Sequence, residues 1–241
     1  MKLKNYTIYT LAIIVIACSP SYNLQLYNDE VIEVQFPVDS TILTIIKPYQ
    51  NGIESQMSEV LCVSEMEMKK GKPESLLGNF VTDLCLNYAD AHVCVMNNGG
   101  LRSSLPKGNI TIGDVYSLMP FENELVVLEL DIESFKILVD YITKRGGEPF
   151  SGMTLIASSK GYDIQEVTKL GHFFDFNKEN KIRILTSDYL ANGGDKMWFF
   201  KDKEQDKVGV KLRDAIIDHC RKSDTISSKL DNRLIFTENE K

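Results

Sequence analysis

Histidine is scarce: the chain has three, His92, His172 and His219, and they stand far apart. Hydrolysis at a pair of metal ions needs Asp, His and Asn ligands gathered so that the ions sit roughly 3.5–4 Å apart, and no such gathering is visible. No local segment suggests a Ser-His-Asp or Cys-His nucleophile either. His92 opens an apolar run, His172 sits beside Phe173 and His219 falls in the last helical segment, so structural or surface roles are expected for all three. The five cysteines show no C-x-x-C spacing that would hold zinc. Cys62, Cys85, Cys94 and Cys220 allow three disulfide pairings in an oxidising compartment. Free thiols are the alternative, since Cys85 and Cys94 lie in apolar surroundings where cysteine behaves as a small hydrophobe. Positive charge is short as well. The net charge of −7 becomes −9 if a leader carrying Lys2 and Lys4 is removed, which disfavours a polynucleotide surface. An acidic chain can still hold one small anion through backbone amides and an arginine. There is no repeat, no low-complexity block, and no apolar run of the ~20 residues that a membrane span requires.

What is present begins with an export signature. Lys2 and Lys4 precede a mostly apolar stretch over 7–17 that suits a secretion signal. Val15-Ile16-Ala17-Cys18 resembles a bacterial lipoprotein processing box, in which cleavage leaves Cys18 lipidated at the new N-terminus. A plain signal in which Cys18 is incidental is the other reading. Residues 18–30 are polar and turn-rich, as a tether would be. The expected organisation is a signal peptide over 1–17, a tether over 18–30 and one domain over 31–237, exported and membrane-anchored through lipid only.

Within the domain, 31–36 reads as a strand ended by Pro37. Ile42, Ile45, Ile46, Tyr49, Ile53 and Met57 fall at helical spacing, with Pro48 as a kink. Residues 60–68 are strand-like. A helix starting at Glu74 or Ser75 buries Leu77, Phe80, Val81, Leu84 and Tyr88. Val93-Cys94-Val95-Met96 reads as a buried strand and 124–130 as another. Asp131 caps a helix carrying Phe135, Leu138, Val139 and Ile142, stopped by Gly146-Gly147. Strands follow near 153–157, 162–167 and 182–185, then a helix over 208–221 and a strand over 233–236. This mixture lacks strict βαβ alternation and predicts an α+β, three-layer α/β/α-like domain with a mixed β-sheet.

Three loops carry the chemistry. In Asn97-Asn98-Gly99-Gly100-Leu101-Arg102, glycines let a ligand approach the backbone while Asn97 and Arg102 donate to it. Taken alone, such a loop is equally a plain turn. Phe121 follows Pro120 in a short loop with Asn123, where a ring has little core to enter. Tyr189 precedes a second Asn-Gly-Gly and then Asp195. Either ring could be core, but together they could sandwich a planar base, worth about 1–3 kcal/mol. Asp195 could accept from ribose hydroxyls, as acidic residues do in dinucleotide folds, or only stabilise its turn.

The ordered set Glu74-Ser75-Leu76-Leu77-Gly78-Asn79-Phe80, Asn97 to Arg102, Pro120 to Asn123 and Tyr189 to Asp195 resembles the C-terminal domain of the 5'-nucleotidase family. That family includes periplasmic UDP-sugar hydrolases and 2',3'-cyclic phosphodiesterase/nucleotidases, and the likeness spans about residues 31–237. It implies that Phe121 and Tyr189 sandwich the base, Asp195 binds ribose, Asn97 and Arg102 contact sugar and phosphate, and Asn123 assists near the base. Glu74, Gly78 and Asn79 are implied to support the fold. Two positions depart from the pattern. Gly71 stands where members often have arginine, with Lys70 and Lys72 as candidate replacements. Lys196-Met197-Trp198 follows Asp195 where a glycine and then an aromatic are usual.

In two-domain members the N-terminal domain holds two metal ions and does the chemistry. A single Asp-x-His triplet, Asp90-Ala91-His92, occurs alone, and Gly-Asn-His and Gly-His-x-His segments are absent from this sequence. The expectation is therefore a nucleoside- or nucleotide-binding chain with no catalytic residue, metal or cofactor of its own. Divalent metals are expected only in a separate metallophosphoesterase chain. The alternative is a non-catalytic nucleoside-binding surface lipoprotein.

Overall fold

Alternate side chains along residues 124–131 enter two different cores, and that alternation organises the fold. The computed structural model describes residues 39–158, 161–169, 172–176 and 178–237. The segments expected to be a signal peptide, a tether with Cys18 and a strand over 31–36 lie outside the described residues. Residues 1–45 and 46–241 form separate units, and the sheets, cores and cavity described below belong to the second.

In chain order the elements are α1 (Ser40–Met57), β1 (Val60–Ser64), α2 (Leu76–Leu86), β2 (Val93–Val95), β3 (Gly108–Thr111), α3 (Ile112–Leu118), β4 (Glu124–Asp131) and α4 (Ile132–Lys144). They continue with β5 (Phe150–Ser151), β6 (Met153–Ser158), β7 (Gly161–Lys169), β8 (His172–Phe173), β9 (Lys181–Ser187) and α5 (Asp188–Ala191). Two single-turn 3₁₀ segments, Gly194–Lys196 and Trp198–Phe200, lead to β10 (Gln205–Lys211), α6 (Leu212–Lys222), β11 (Thr225–Ile226) and β12 (Leu234–Phe236).

The central sheet has the order β10-β4-β9-β2-β5. It is mixed: β2 and β9 run parallel, and the other neighbours are antiparallel. Because strand side chains alternate, Leu125 and Val127 of β4, Cys94 of β2 and Leu185 of β9 join one core with Leu77, Phe80 and Val81 of α2, Val115 and Leu118 of α3, and Ala215 and Ile216 of α6. Val126, Leu128, Val93, Val95, Ile182 and Ile184 join the other with Phe135, Leu138, Val139 and Ile142 of α4. Burying each such side chain contributes about 1.5–3 kcal/mol. The smaller β12-β6-β7-β8 sheet lends Met153, Leu155, Val167 and Leu234 to the second core. The domain is α+β with mixed sheets, as the residue pattern predicts.

Local signals match the chain well. Ser75 caps α2 by accepting from the Gly78 amide, and Asp131 caps α4 by accepting from Ser134 at 2.7 Å. Tyr88 falls just beyond α2, half-buried, with its hydroxyl donating to the Ala215 carbonyl. The helix expected over 208–221 begins only at Leu212, because 208–211 belong to β10, paired to β4. The strand expected over 60–68 ends at Ser64, and Met68 makes an isolated bridge to Leu105. α1 has no buried residue.

Cys62, Cys85, Cys94 and Cys220 are buried free thiols. Burial raises the pKa of the Cys62 and Cys94 thiols. The His92 Nδ1 accepts from the Arg183 amide at 3.0 Å, and its ring meets Phe174 edge-on. His219 packs edge-on against Phe80, and burial lowers its pKa.

Candidate functional site

The sheet's topology brings four segments to one end. β2 and β9 are parallel, so the chain leaves both at the same side, into 97–102 and into α5 with 192–196. β4 runs against β9 and β5 against β2, so the segments entering them, 120–123 and 145–149, arrive at that side too. Between them lies a cavity of about 380 Å³ lined by Asn97, Gly99, Gly100, Arg102, Phe121, Asn123, Tyr189 and Asp195. All six residues singled out from the sequence border it. Its volume is in the range of small-ligand pockets.

The two rings are left largely in solvent, Phe121 42% and Tyr189 49% exposed, so neither is a core side chain. Asp195 is the best-held residue. Its Oδ2 accepts from Asn97 Nδ2 at 3.0 Å and its Oδ1 from Arg145 Nη2 at 3.3 Å. Its amide donates to the Tyr189 hydroxyl at 3.1 Å, and its carbonyl accepts from the Tyr141 hydroxyl at 2.7 Å. Burial, then the nearby Asp195 carboxylate, push the Tyr141 pKa up, so its hydroxyl remains a donor. Gly194 leaves room for this arrangement: a Cβ there would lie 2.6 Å from the Tyr189 ring and 2.5 Å from its carbonyl oxygen. The Arg102 side chain is exposed, and its Nη1 donates to the Gly99 carbonyl at 3.3 Å.

Further residues build the site without having been picked out from the sequence. Buried Glu148 accepts from Arg145 Nε at 2.7 Å and from the Asn98 amide at 2.7 Å, tying the 145–149 segment to the Asn-Gly-Gly loop. Asp188 Oδ1 accepts from the amides of Tyr189 and Glu124 at 2.8 and 3.2 Å, linking α5 to the start of β4. Buried Arg213 reaches the Met119 carbonyl at 3.4 Å and the Glu122 carboxylate, with its guanidinium 4.2 Å from the centre of the Tyr116 ring. The Leu212 amide donates to the Asn123 carbonyl at 2.9 Å, so the start of α6 clamps the Phe121 loop.

Glu122 is exposed, yet Lys211 and then Arg213 lower its pKa to about 2. A depressed carboxylate contributes its pairing fully above its unfolded value, about 4.3, and loses it as pH falls through the folded one. Its carboxylate resonance should therefore titrate near pH 2, and the Phe121 ring signals should hold still from pH 8 to 5. A midpoint at or above 4.3 would show that the clamp does not form.

Among the described residues no group of three His, Cys, Asp or Glu could hold a metal ion.

Residues 56–202, more than half of the chain, match the family model described as 5'-nucleotidase, C-terminal domain. This chain belongs to that family. An apyrase from Tabanus yao is 25% identical over 228 residues, covering 80% of this chain and 41% of the apyrase. A 5'-nucleotidase from Vibrio parahaemolyticus is 27% identical over 167 residues, covering 65% of this chain and 29% of that protein. The fold is shared with a 5'-nucleotidase precursor from Thermus thermophilus, with a TM-score of 0.68 and 22% identity over 80% of this chain and 42% of that one. The chain thus spans less than half the length of these relatives.

Membership gives the two departures a structural account. Lys196, where the resemblance leads one to expect a glycine, holds φ +67°, the left-handed region glycine favours, while Met197 is fully buried. Lys70 Nζ donates to the Leu101 carbonyl at 3.0 Å, and Lys72 Nζ donates to the Arg145 carbonyl and lies 3.9 Å from Glu148. Both lysines brace the site's loops and neither lines the cavity. Glu74, Gly78 and Asn79 also sit apart from it. Asn79 Nδ2 donates to Glu74 at 2.6 Å and to the Lys229 carbonyl at 2.8 Å.

Proposed function

We propose that this chain is the nucleoside- or nucleotide-binding component of a 5'-nucleotidase-type hydrolase, with phosphate-ester hydrolysis performed by a metallophosphoesterase on a separate polypeptide. The observation that carries it is one cavity bordered by two solvent-facing rings, a braced carboxylate and an exposed arginine. Phe121 and Tyr189 stack on the base, Asp195 accepts from the ribose hydroxyls and Asn123 reaches the base edge. Asn97 contacts the sugar and Arg102 the phosphate. Guanidinium suits that last role because it is always charged and can present two donors to one anion. Association costs consume much of the gross stacking and hydrogen-bond energy, so Kd is expected between about 1 μM and 1 mM.

The same reading has the chain exported and held to a membrane by a lipid on Cys18, within the segment Val15-Ile16-Ala17-Cys18. No described helix is long and apolar enough to cross a membrane.

Mixing tests the division of labour. The protein should bind adenosine and AMP in calorimetry. It should also raise phosphate release from AMP by an exported metallophosphoesterase of the same source well above the sum of the two proteins alone. Binding without any gain leaves the non-catalytic lipoprotein reading. Absence of binding overturns both.

A further inference from the structure

We propose that Arg145 is a positioning residue that aims the Asp195 carboxylate at a cis-diol, so that the pocket selects ribonucleosides over 2'-deoxyribonucleosides. This rests on the nucleoside reading above. Asp195 holds φ +50° and ψ +30°, a left-handed conformation that a non-glycine residue keeps only when its surroundings impose it. Much of that imposition comes from the C-terminal end of α4. Tyr141 lies on its last turn and Arg145 is the residue that ends it. Four positions apart, they share a helix face, with the guanidinium 5.1 Å from the Tyr141 ring centre. Tyr141 fixes the Asp195 carbonyl, and Arg145 fixes Oδ1.

Arg145 is itself held. Glu148, almost wholly buried, binds Nε at 2.7 Å, and this leaves Nη2 turned toward Asp195. A lysine could not serve both carboxylates with that fork. The protein thereby gives each Asp195 oxygen one donor, Arg145 to Oδ1 and Asn97 Nδ2 to Oδ2. A carboxylate has about four lone-pair sites, so each oxygen keeps capacity for one hydroxyl. Two neighbouring hydroxyls match this pair, and a 2'-deoxyribose offers only one of them. Glu148 also binds the Asn98 amide, so the same anchor sets the loop that carries Asn97.

Calorimetry with adenosine and 2'-deoxyadenosine on the full chain, R145Q and R145K tests the assignment, with thermal melts to report folding. The unmodified protein should prefer adenosine about tenfold, the size of one hydrogen bond to a charged group. R145Q should shrink that preference below about threefold while 2'-deoxyadenosine binding changes little, and R145K should restore part of it. Should R145Q fail to fold, Y141F carries the test, because it removes only the hydroxyl on the Asp195 carbonyl and should narrow the preference likewise. An unchanged preference overturns the assignment, as does an equal loss for both nucleosides, which is what a merely structural role produces. Failure of the unmodified protein to bind either nucleoside overturns the nucleoside reading itself.

Discussion

Asp195→Ala should weaken adenosine binding about 100-fold, equivalent to roughly 3 kcal/mol, in calorimetry on the otherwise intact chain. Two effects act in the same direction. The variant removes the acceptor for two sugar hydroxyls, each a hydrogen bond to a charged group. It also strands Asn97 and Arg145, which now donate to Oδ2 and Oδ1. Alanine is moreover a poor tenant of φ +50°. Asp195→Asn separates these contributions, because asparagine tolerates the left-handed region and keeps one acceptor oxygen but lacks the charge. It should fall between the parent and the alanine variant. An alanine variant that binds adenosine with undiminished affinity would sink the sugar-binding role of Asp195.

The central layer of the fold could be read before any coordinates, for reasons that are local. Leu125-Val126-Val127-Leu128 is apolar on both sides because β4 has a core on each face, which gives a continuous run in place of alternation. Asp131 and Gly146-Gly147 bracket α4 by the usual capping chemistry. The misread boundary at 208–211 has an equally physical cause. Val208 and Val210 pack beside the same core as Leu212, Ala215 and Ile216, so a period of two runs into a helical period without a break. Lys211 supplies no side-chain cap to mark the change. The pair β3 and α3 was missed because both are short, four and seven residues, although the Thr111–Asp114 capping box was there to be found.

The candidate site divides in the same way. Residues that face the cavity sit in Gly- and Asn-rich loops whose composition marks them. Their supports do not. Arg145 and Glu148 flank Gly146-Gly147 and read as the end of a helix, yet Arg145 reaches a residue 50 positions away. Arg213 lies on an amphipathic helix and reaches the Phe121 loop across more than 90 positions. Such partners depend on strand order, in particular on β5 and β2 being antiparallel and β2 and β9 parallel. Nothing in the local pattern announces that order.

The second large effect concerns stability. Arg233→Ala should lower the unfolding free energy by about 2–3 kcal/mol, read as a lower urea midpoint with an unchanged slope. Arg233 is 7% exposed and uses its whole guanidinium. It pairs with both Asp83 oxygens at 2.9 and 3.0 Å, with both Asp231 oxygens at 2.8 and 2.9 Å, and with the Phe150 carbonyl at 2.8 Å. One side chain therefore joins α2, the start of β5 and the approach to β12. Removing it leaves Asp83 and Asp231 beside Glu74 without their shared cation, and uncovers the Phe150 carbonyl. Arg233→Lys keeps the charge but cannot form two forked pairs at once, so it should recover only part of the loss. Acid supplies an independent check. The Arg233 guanidinium is the largest influence holding Asp231 below the usual carboxylate range. The stability this supplies is complete above the unfolded value of about 3.9 and is lost as pH falls through the lower folded value. The gap between parent and alanine variant should thus be widest near neutrality and close as the pH drops below about 4. A loss under 1 kcal/mol at pH 7, or a gap that does not narrow in acid, would mean that the cluster is not what ties these three elements together.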